Sequence, residues 1–259
     1  MTRDTAVKLF LAVVVGITVM SGIAHAAGGS VELRHRDWSF EGPFGTFDRA
    51  SAQRGLQVYR EVCASCHSME YVTFRTLDQI GFSQPEIKAM AAEYTVEDGP
   101  DDAGDMFERP GKPFDVFPAP YANAKAAAAA NGGKAPPDLS LMVEARVDGA
   151  NYVYSLLMGY EDPPTDFVVP EGAYYNAYYP GHAIAMSAPL IDDQVEYQDG
   201  TPATVNQMSI DIVNFLAWTT EPNMEERKQT GVVVLLFLFV MTILCYMAYR
   251  NTKAQVVKY

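Results

Sequence analysis

Residues 63–67 read Cys63-Ala64-Ser65-Cys66-His67. This C-x-x-C-H pattern is typical of covalent c-type haem attachment, in which two thiols bind the haem vinyl groups and the adjacent histidine binds the iron from one face. A redox C-x-x-C, half of a zinc site and a chance match are the alternatives. Zinc usually takes four ligands, and the only other cysteine, Cys245, lies far away in an apolar run. No βαβ pattern of thioredoxin type is visible, so the motif favours haem c, one per chain and covalently attached.

Residues 1–26 have the pattern of a secretory signal peptide. Arg3 and Lys8 give a positive start, residues 9–20 are apolar, and Ala24-His25-Ala26 is a small-x-small cleavage site. An uncleaved anchor helix is the alternative, but the apolar stretch is short for a membrane span. Export agrees with the haem motif, because bacteria attach haem covalently on the exported side of the membrane.

A second apolar segment lies near the C-terminus. Residues 231–249 are nineteen residues without a charge, and a helix of about 20 residues spans the roughly 30 Å hydrocarbon core of a bilayer. Three basic residues and no acid follow at positions 250, 253 and 258, so the positive-inside rule puts the C-terminus in the cytoplasm. We therefore expect a single-pass protein of the bacterial inner (cytoplasmic) membrane with this order: signal peptide 1–26, periplasmic c-type haem domain 27–228, transmembrane helix 229–249, cytoplasmic tail 250–259.

The chain is acidic, with a formal net charge of −13. Residues 1–26 contribute +1 and residues 250–259 contribute +3, so the segment between them carries −17. This charge argues against nucleic acid and against docking on anionic lipid headgroups, and it favours a basic protein partner. Seven acids within sixteen residues form either part of a docking surface or only a solvated loop; they are Glu93, Glu97, Asp98, Asp101, Asp102, Asp105 and Glu108.

The remaining pattern predicts a mainly α fold, a cytochrome c-like helical haem domain with long loops plus one C-terminal transmembrane helix. Ser51 can cap a helix that runs into the haem motif, and Gly55 would let another helix approach closely. An amphipathic helix capped by Thr201 is suited to pack across the first one. We also expect a helix from Asn123 to Asn131, helical structure within 141–159, and no series of strands.

A haem iron has a second axial position, and residues 181–190 hold the best candidates for it, His182 and Met186. Met/His ligation raises the reduction potential relative to bis-histidine ligation. Most methionines fill cores, but Met186 lies in a loop of small residues before Pro189, a setting that can lay a thioether against the iron. The residues alone leave both ligands, and an open position, possible.

Longer motifs resemble the cytochrome c1 family, and they occur in that family's order over nearly the whole mature chain. Besides CASCH they are MFERPGKPFDVFPAPYANAKAAAAANGGKAPPDLS at 106–140, NYVYSLLMGYEDPPT at 151–165, YYNAYYPGHAIAMSAPL at 174–190, QDGTPATVNQMSIDIVNFLAWTTEP at 198–222, and the final apolar span. The resemblance implies haem attachment by Cys63 and Cys66 and axial ligation by His67 and Met186. It also implies four residues around the haem and its propionates, namely Asn131, Pro137, Arg146 and Tyr152.

Each of those four residues also has a simpler interpretation. Asn131 can end a helix, Pro137 can form a rigid turn, Arg146 can pair with Glu144 or Asp148 at the surface, and Tyr152 can be a core aromatic.

The resemblance implies a membrane-anchored electron carrier of the quinol–cytochrome c reductase complex. It would accept an electron from the Rieske iron–sulfur protein, beside cytochrome b, and pass it to a soluble basic cytochrome c. Such a chain is not an enzyme on its own. The alternatives are another membrane-tethered electron-carrier cytochrome c, or a haem enzyme or gas sensor with an open iron site.

Overall fold

The computed structural model describes residues 31–256, so the predicted signal peptide at 1–26 lies outside the described residues. The α-helices of the described part are α1 Arg49–Glu61, α2 Gln84–Ala92, α3 Ala124–Ala130, α4 Gly149–Leu157, α5 Val205–Thr220 and α6 Met224–Val256. Short 3₁₀ helices cover Cys63–Ser65 and Phe74–Ile80. Antiparallel two-stranded sheets pair β1 Met69–Thr73 with β4 Val116–Phe117, β2 Thr95–Asp98 with β3 Phe107–Pro110, and β5 Tyr174–Tyr175 with β6 Ala183–Ile184.

Helices α1 and α5 cross at Gly55, as the sequence predicts. A Cβ atom added to Gly55 would lie 2.0 Å from the backbone oxygen of Asp211, so no larger residue fits without moving the helices apart. Around the crossing the apolar faces of both helices are fully buried, with Leu56 and Tyr59 of α1 beside Phe215 of α5. This crossing forms the centre of the core and fixes the end of α1, where the haem motif begins.

The predicted caps of these two helices are wrong by about one turn. Asp48, not Ser51, caps α1, and its carboxylate accepts a hydrogen bond from the Ser51 backbone nitrogen at 3.0 Å. Thr204, not Thr201, caps α5 through its hydroxyl, which accepts from the Gln207 backbone nitrogen at 3.1 Å. Ser51 lies inside α1, where its buried hydroxyl donates to the Asp211 carboxylate of α5 at 2.7 Å.

Helix α3 begins and ends as predicted. The Asn123 side chain accepts from the backbone nitrogens of residues 125 and 126 at 3.0 Å each, and Asn131 is the C-cap. The helix predicted within 141–159 is shorter, because α4 begins only at Gly149. Asp148 before it has φ 51°, and a Cβ on Gly149 would lie 1.7 Å from the Val143 oxygen, so the chain turns sharply there.

Helix α6 continues from the haem domain as one unbroken helix of 33 residues. It is long and apolar enough to cross a membrane, with a mean hydropathy of 2.7 in its most apolar window. Every side chain from Val233 to Ala254 is exposed, which fits a helix surrounded by lipid. The mainly α fold with long loops and one C-terminal membrane-spanning candidate is therefore confirmed.

Candidate haem site

The haem motif folds into a single tight turn at the end of α1. The backbone nitrogens of Cys66 and His67 both donate to the Cys63 oxygen, at 3.1 and 2.9 Å. The Tyr59 hydroxyl, one turn earlier in α1, donates to the His67 oxygen at 3.3 Å. Both thiols of the motif are free and half-buried. The turn therefore presents two unpaired thiols and an imidazole from one short, well-anchored piece of backbone.

The imidazole of His67 is held by a residue 70 positions away. Its Nδ1 atom lies 2.8 Å from the backbone oxygen of Pro137. Because a carbonyl can only accept, Nδ1 carries the proton and the lone pair of Nε2 remains for a metal. Burial lowers the pKa of His67, with the Pro137 carbonyl and the charge of Asp138 acting against it. A neutral, oriented imidazole is the form that ligates iron.

The segment that carries Pro137 is fixed to the motif by Asp138. Its carboxylate accepts from the Ser68 hydroxyl and from the backbone nitrogens of Glu70 and Ser140, each at 2.8 Å. Burial works against ionisation, but these hydrogen bonds outweigh it, and the pKa of Asp138 is lowered. The ionised carboxylate thus holds together the two chain segments that position His67.

The chemistry of the cysteines argues against a zinc site. Burial raises the pKa of Cys63 to about 12, and the neighbouring Cys66 adds to the rise. A structural zinc site usually has four ligands, whereas the motif supplies two thiols and one imidazole. Within residues 31–256 no group of three or more His, Cys, Asp or Glu side chains could hold a metal ion. The donor set, two free thiols and one oriented imidazole, fits a covalently attached haem.

Met186 follows a small hairpin, β5–β6, that is attached to the end of α4. The buried side chain of Asn176 makes this attachment, because its amide donates to the Leu156 oxygen of α4 at 2.8 Å. Its oxygen accepts from the Tyr178 backbone nitrogen at 3.0 Å, within the loop of the hairpin itself. The Met186 backbone oxygen accepts from the Tyr160 hydroxyl at 3.1 Å. Sequence reasoning missed Asn176, although it stands inside the quoted motif at 174–190. Met186 as an iron ligand stays a prediction.

His182, the competing ligand candidate, has a different environment from Met186. Its backbone lies in the left-handed region, with φ 57°. Its ring stacks on Tyr175 with centroids 5.8 Å apart and meets Phe167 edge-on at 6.2 Å. Its Nδ1 atom is buried with no hydrogen-bond partner among the described residues. The aromatic contacts give the ring a packing role in the loop that connects β5 and β6.

The four residues assigned to the haem surroundings have distinct local roles. Arg146 is exposed and donates to the Ala145 oxygen at 3.0 Å. The alternative pairing with Glu144 or Asp148 is not among the ion pairs of the described residues. Burial raises the pKa of Tyr152, and the nearby Arg146 acts against that rise. These two side chains are therefore neighbours, as a shared propionate site requires.

Asn131 and Pro137 make local contacts that agree with the simpler interpretations of these residues, a helix end and part of a rigid turn. The Asn131 amide donates to the Ala127 oxygen at 2.8 Å and to the Tyr121 hydroxyl at 3.1 Å, which ends α3. Pro137, besides forming part of a rigid segment, supplies the carbonyl that orients His67. Contacts of any of the four residues with haem remain predictions.

The acidic stretch forms the β2–β3 hairpin and its connecting loop. Some of its charge is neutralised locally, because Arg109 pairs with Asp98 and, at 2.6 Å, with Asp115, and Arg60 pairs with Glu93. Other acids of the stretch have exposed side chains without an ion pair among the described residues, namely Glu97, Asp101, Asp102, Asp105 and Glu108. The loop therefore carries negative charge that a basic partner could meet.

Comparison with known proteins identifies the family of this chain. The model of the Cytochrome C1 family matches residues 38–256. The chain is 48% identical to cytochrome c1 of Rhodospirillum rubrum, over 92% of this chain and 93% of that protein. It is 50% identical to mitochondrial cytochrome c1 1 of Arabidopsis thaliana, over 98% of this chain and 83% of that protein. It is 49% identical to cytochrome b/c1 of Bradyrhizobium diazoefficiens, over 90% of this chain but only 37% of that protein. The chain belongs to the cytochrome c1 family, the haem subunit of the bc1 complex.

Proposed function

We propose that this chain accepts single electrons from the Rieske iron–sulfur protein and passes them to a soluble cytochrome c. The coarser role, an electron-transfer component of the bc1 complex, follows from its family. The observation that most supports the finer role is the bond between His67 Nδ1 and the Pro137 oxygen at 2.8 Å. It prepares Nε2 for permanent ligation, which suits a carrier that must not release or rotate its iron ligand.

On this proposal Cys63 and Cys66 would hold one haem c covalently, and His67 and Met186 would ligate its iron. A bound haem supplies a reversible one-electron ferric/ferrous couple. The chain keeps His67 neutral by burial and oriented by Pro137. The Tyr160 hydroxyl holds the Met186 backbone by a hydrogen bond. A Met186 side chain that stays on the iron would keep small ligands from binding there.

Three further residues would serve the haem propionates and their surroundings. A propionate is a carboxylate, for which an arginine and a tyrosine hydroxyl are suitable donors. Arg146 and Tyr152 are adjacent, and Arg146 has no carboxylate partner among the described residues. We propose that both point their donors to one propionate, while Asn131 ends α3 beside the haem edge.

The proposed topology places residues 27–228 in the periplasm, 229–249 in the bacterial inner membrane and 250–259 in the cytoplasm, with 1–26 removed as a signal peptide. The support for it is the long exposed helix α6 together with the basic residues that follow its apolar part. A haem domain in the periplasm would meet soluble electron carriers there.

The proposed partners are cytochrome b and the Rieske protein within the membrane and a basic cytochrome c in the periplasm. The name of the Bradyrhizobium relative, cytochrome b/c1, supports cytochrome b as a partner, since this chain matches only 37% of that protein. The exposed acids of the β2–β3 hairpin support a basic cytochrome c as a partner, because opposite charges accelerate the encounter of two proteins.

Purification in mild detergent tests the proposal directly. The full chain should carry a c-type absorption spectrum, co-purify with a cytochrome b and an iron–sulfur protein, and be oxidised by a soluble cytochrome c in a stopped-flow mixing experiment. Carbon monoxide should not bind the reduced protein. A haem that binds carbon monoxide would contradict the carrier role and favour a haem enzyme or gas sensor. An intact spectrum without oxidation by cytochrome c would leave the chain a structural subunit.

A further inference from the structure

An exposed phenylalanine stands at the tip of a turn beside the start of α6. Residues 39–46 form this turn, which is closed by hydrogen bonds from Thr46 N to Ser39 O at 2.9 Å and from Gly45 N to Gly42 O at 3.4 Å. Phe44 is 80% exposed, the highest value of any aromatic side chain among the described residues. We call residues 39–46 the membrane-proximal turn.

Helix α6 holds this turn through two charged side chains on one of its faces. The Lys228 ammonium donates to the Phe40 oxygen at 2.6 Å and to the Gly45 oxygen at 3.3 Å, which fixes both arms of the turn. Three residues earlier, the Glu225 carboxylate accepts from the Phe47 backbone nitrogen at 2.9 Å and pairs with Arg49 at 3.0 Å. The turn is thus attached to the membrane helix itself.

The attachment lies close to the start of the apolar run. Gly231, its first residue, comes three residues after Lys228, which corresponds to about 4.5 Å along a helix. On the same face, one turn below Lys228, Val232 is still half-buried, whereas every residue from Val233 to Ala254 is exposed. The haem domain therefore covers α6 down to the first residues of the apolar run and no further.

We infer that the membrane-proximal turn lies in the headgroup layer and that Phe44 inserts into the interface of the bilayer. Aromatic side chains prefer this boundary, and burying a phenylalanine that is exposed in water is favourable by the hydrophobic effect. The occupant we assign is lipid, because the turn is continuous with the surface of a helix that is exposed on all sides below Val232. Since the domain is acidic, the expected lipid is zwitterionic and not anionic.

A spin label at position 44 tests the inference on the full-length holoprotein. The label is attached to Phe44→Cys in a Cys245→Ser background, because Cys63 and Cys66 are occupied by haem. The matched control is Asp102→Cys in the same background, at an exposed site in the β2–β3 loop. That loop lies near the end of α1, where Arg60 pairs with Glu93, whereas the start of α1 pairs with Glu225 of α6 through Arg49. Both proteins are reconstituted into phosphatidylcholine vesicles, and an unchanged haem spectrum shows that each is folded.

The measurement is the label's collision rate with lipid-soluble oxygen and with a water-soluble nickel chelate. Insertion predicts that the collision rate with oxygen exceeds the rate with the nickel chelate at position 44, and that the order is reversed at position 102. Adding Lys228→Ala should raise the nickel rate at position 44, because the turn loses both tethers. Equal rates at positions 44 and 102 would overturn the inference. Protection from both reagents in the purified multisubunit complex would also overturn it, since a protein partner would then cover Phe44.

Discussion

Replacing Arg54 by methionine tests how firmly α1, and with it the haem-binding turn, is held against α5. Asp211 on α5 is fully buried, and its carboxylate accepts two hydrogen bonds from the Arg54 guanidinium at 3.0 Å each. It also accepts from the Ser51 hydroxyl at 2.7 Å and the Gln207 amide at 3.1 Å. The hydrogen bond to Asp211 is the main reason that the pKa of Arg54 is raised, so Arg54 carries its charge at neutral pH.

Methionine keeps the apolar stem of Arg54 but removes its charge and half of the hydrogen bonds to Asp211. Leaving one partner of a buried ion pair without the other costs about 3–5 kcal/mol. In a domain of this size each kcal/mol lowers Tm by about 2–4 °C. We therefore expect Arg54→Met to lower the melting temperature by about 6–20 °C.

The assay is thermal unfolding of the full-length holoprotein in mild detergent, followed by far-ultraviolet circular dichroism and by the haem absorption band. Arg75→Met is the matched control, because Arg75 is exposed and makes no ion pair within residues 31–256. A double variant, Arg54→Met with Asp211→Asn, should recover part of the loss, since a buried amide needs no counter-charge. If Arg54→Met and Arg75→Met have the same melting temperature, the buried pair does not stabilise the helix crossing and the reasoning fails.

Three further predictions concern the site and its partner. Met186→Leu should lower the midpoint potential and let carbon monoxide bind, since a thioether ligand raises the potential; an unchanged potential in a redox titration would point to His182. Because the folded-state pKa of Asp138 is lowered, its stabilisation exists above about pH 4 and disappears as pH falls through that folded value. The melting-temperature difference between wild type and Asp138→Asn should therefore vanish in acid, and a pH-independent difference would contradict this. Changing Asp101, Asp102 and Asp105 to Asn should slow electron transfer to a basic cytochrome c at low ionic strength and flatten its salt dependence; an unaltered salt slope would make the loop a solvated surface only.

Features that depend only on residues close together in the chain could be predicted from the sequence. The haem motif, the apolar run of α6, the Asn123 cap and the close approach at Gly55 all follow from local pattern. The caps of α1 and α5 could not, because several polar residues stand near each helix start. Which of them is exposed and which is buried depends on the partner helix, as the bond between Ser51 and Asp211 shows.

Contacts between segments that are distant in the chain could not be predicted from the sequence either. The β5–β6 hairpin has only two residues in each strand, too few for an alternating pattern to be visible. Nothing in the composition of residues 136–140 indicates that Pro137 would orient His67. The resemblance to cytochrome c1 pointed to Pro137, but the physical reason for it, a carbonyl at 2.8 Å from Nδ1, needed the folded chain.

The haem turn is held by contacts from two separate parts of the chain. Pro137 and Asp138 fix His67 and the residues after it, and the buried pair between Arg54 and Asp211 fixes the helix before it. Haem attachment would use both cysteines of the domain, so no disulfide can brace it, and its rigidity must come from these buried polar contacts and from packing. An electron carrier benefits from such rigidity, because ligands that are already oriented need little rearrangement when the iron changes charge. The same polar contacts should therefore determine both the stability of the domain and the constancy of its reduction potential, and Arg54→Met, which touches no haem ligand, should broaden or shift that potential if the two are linked.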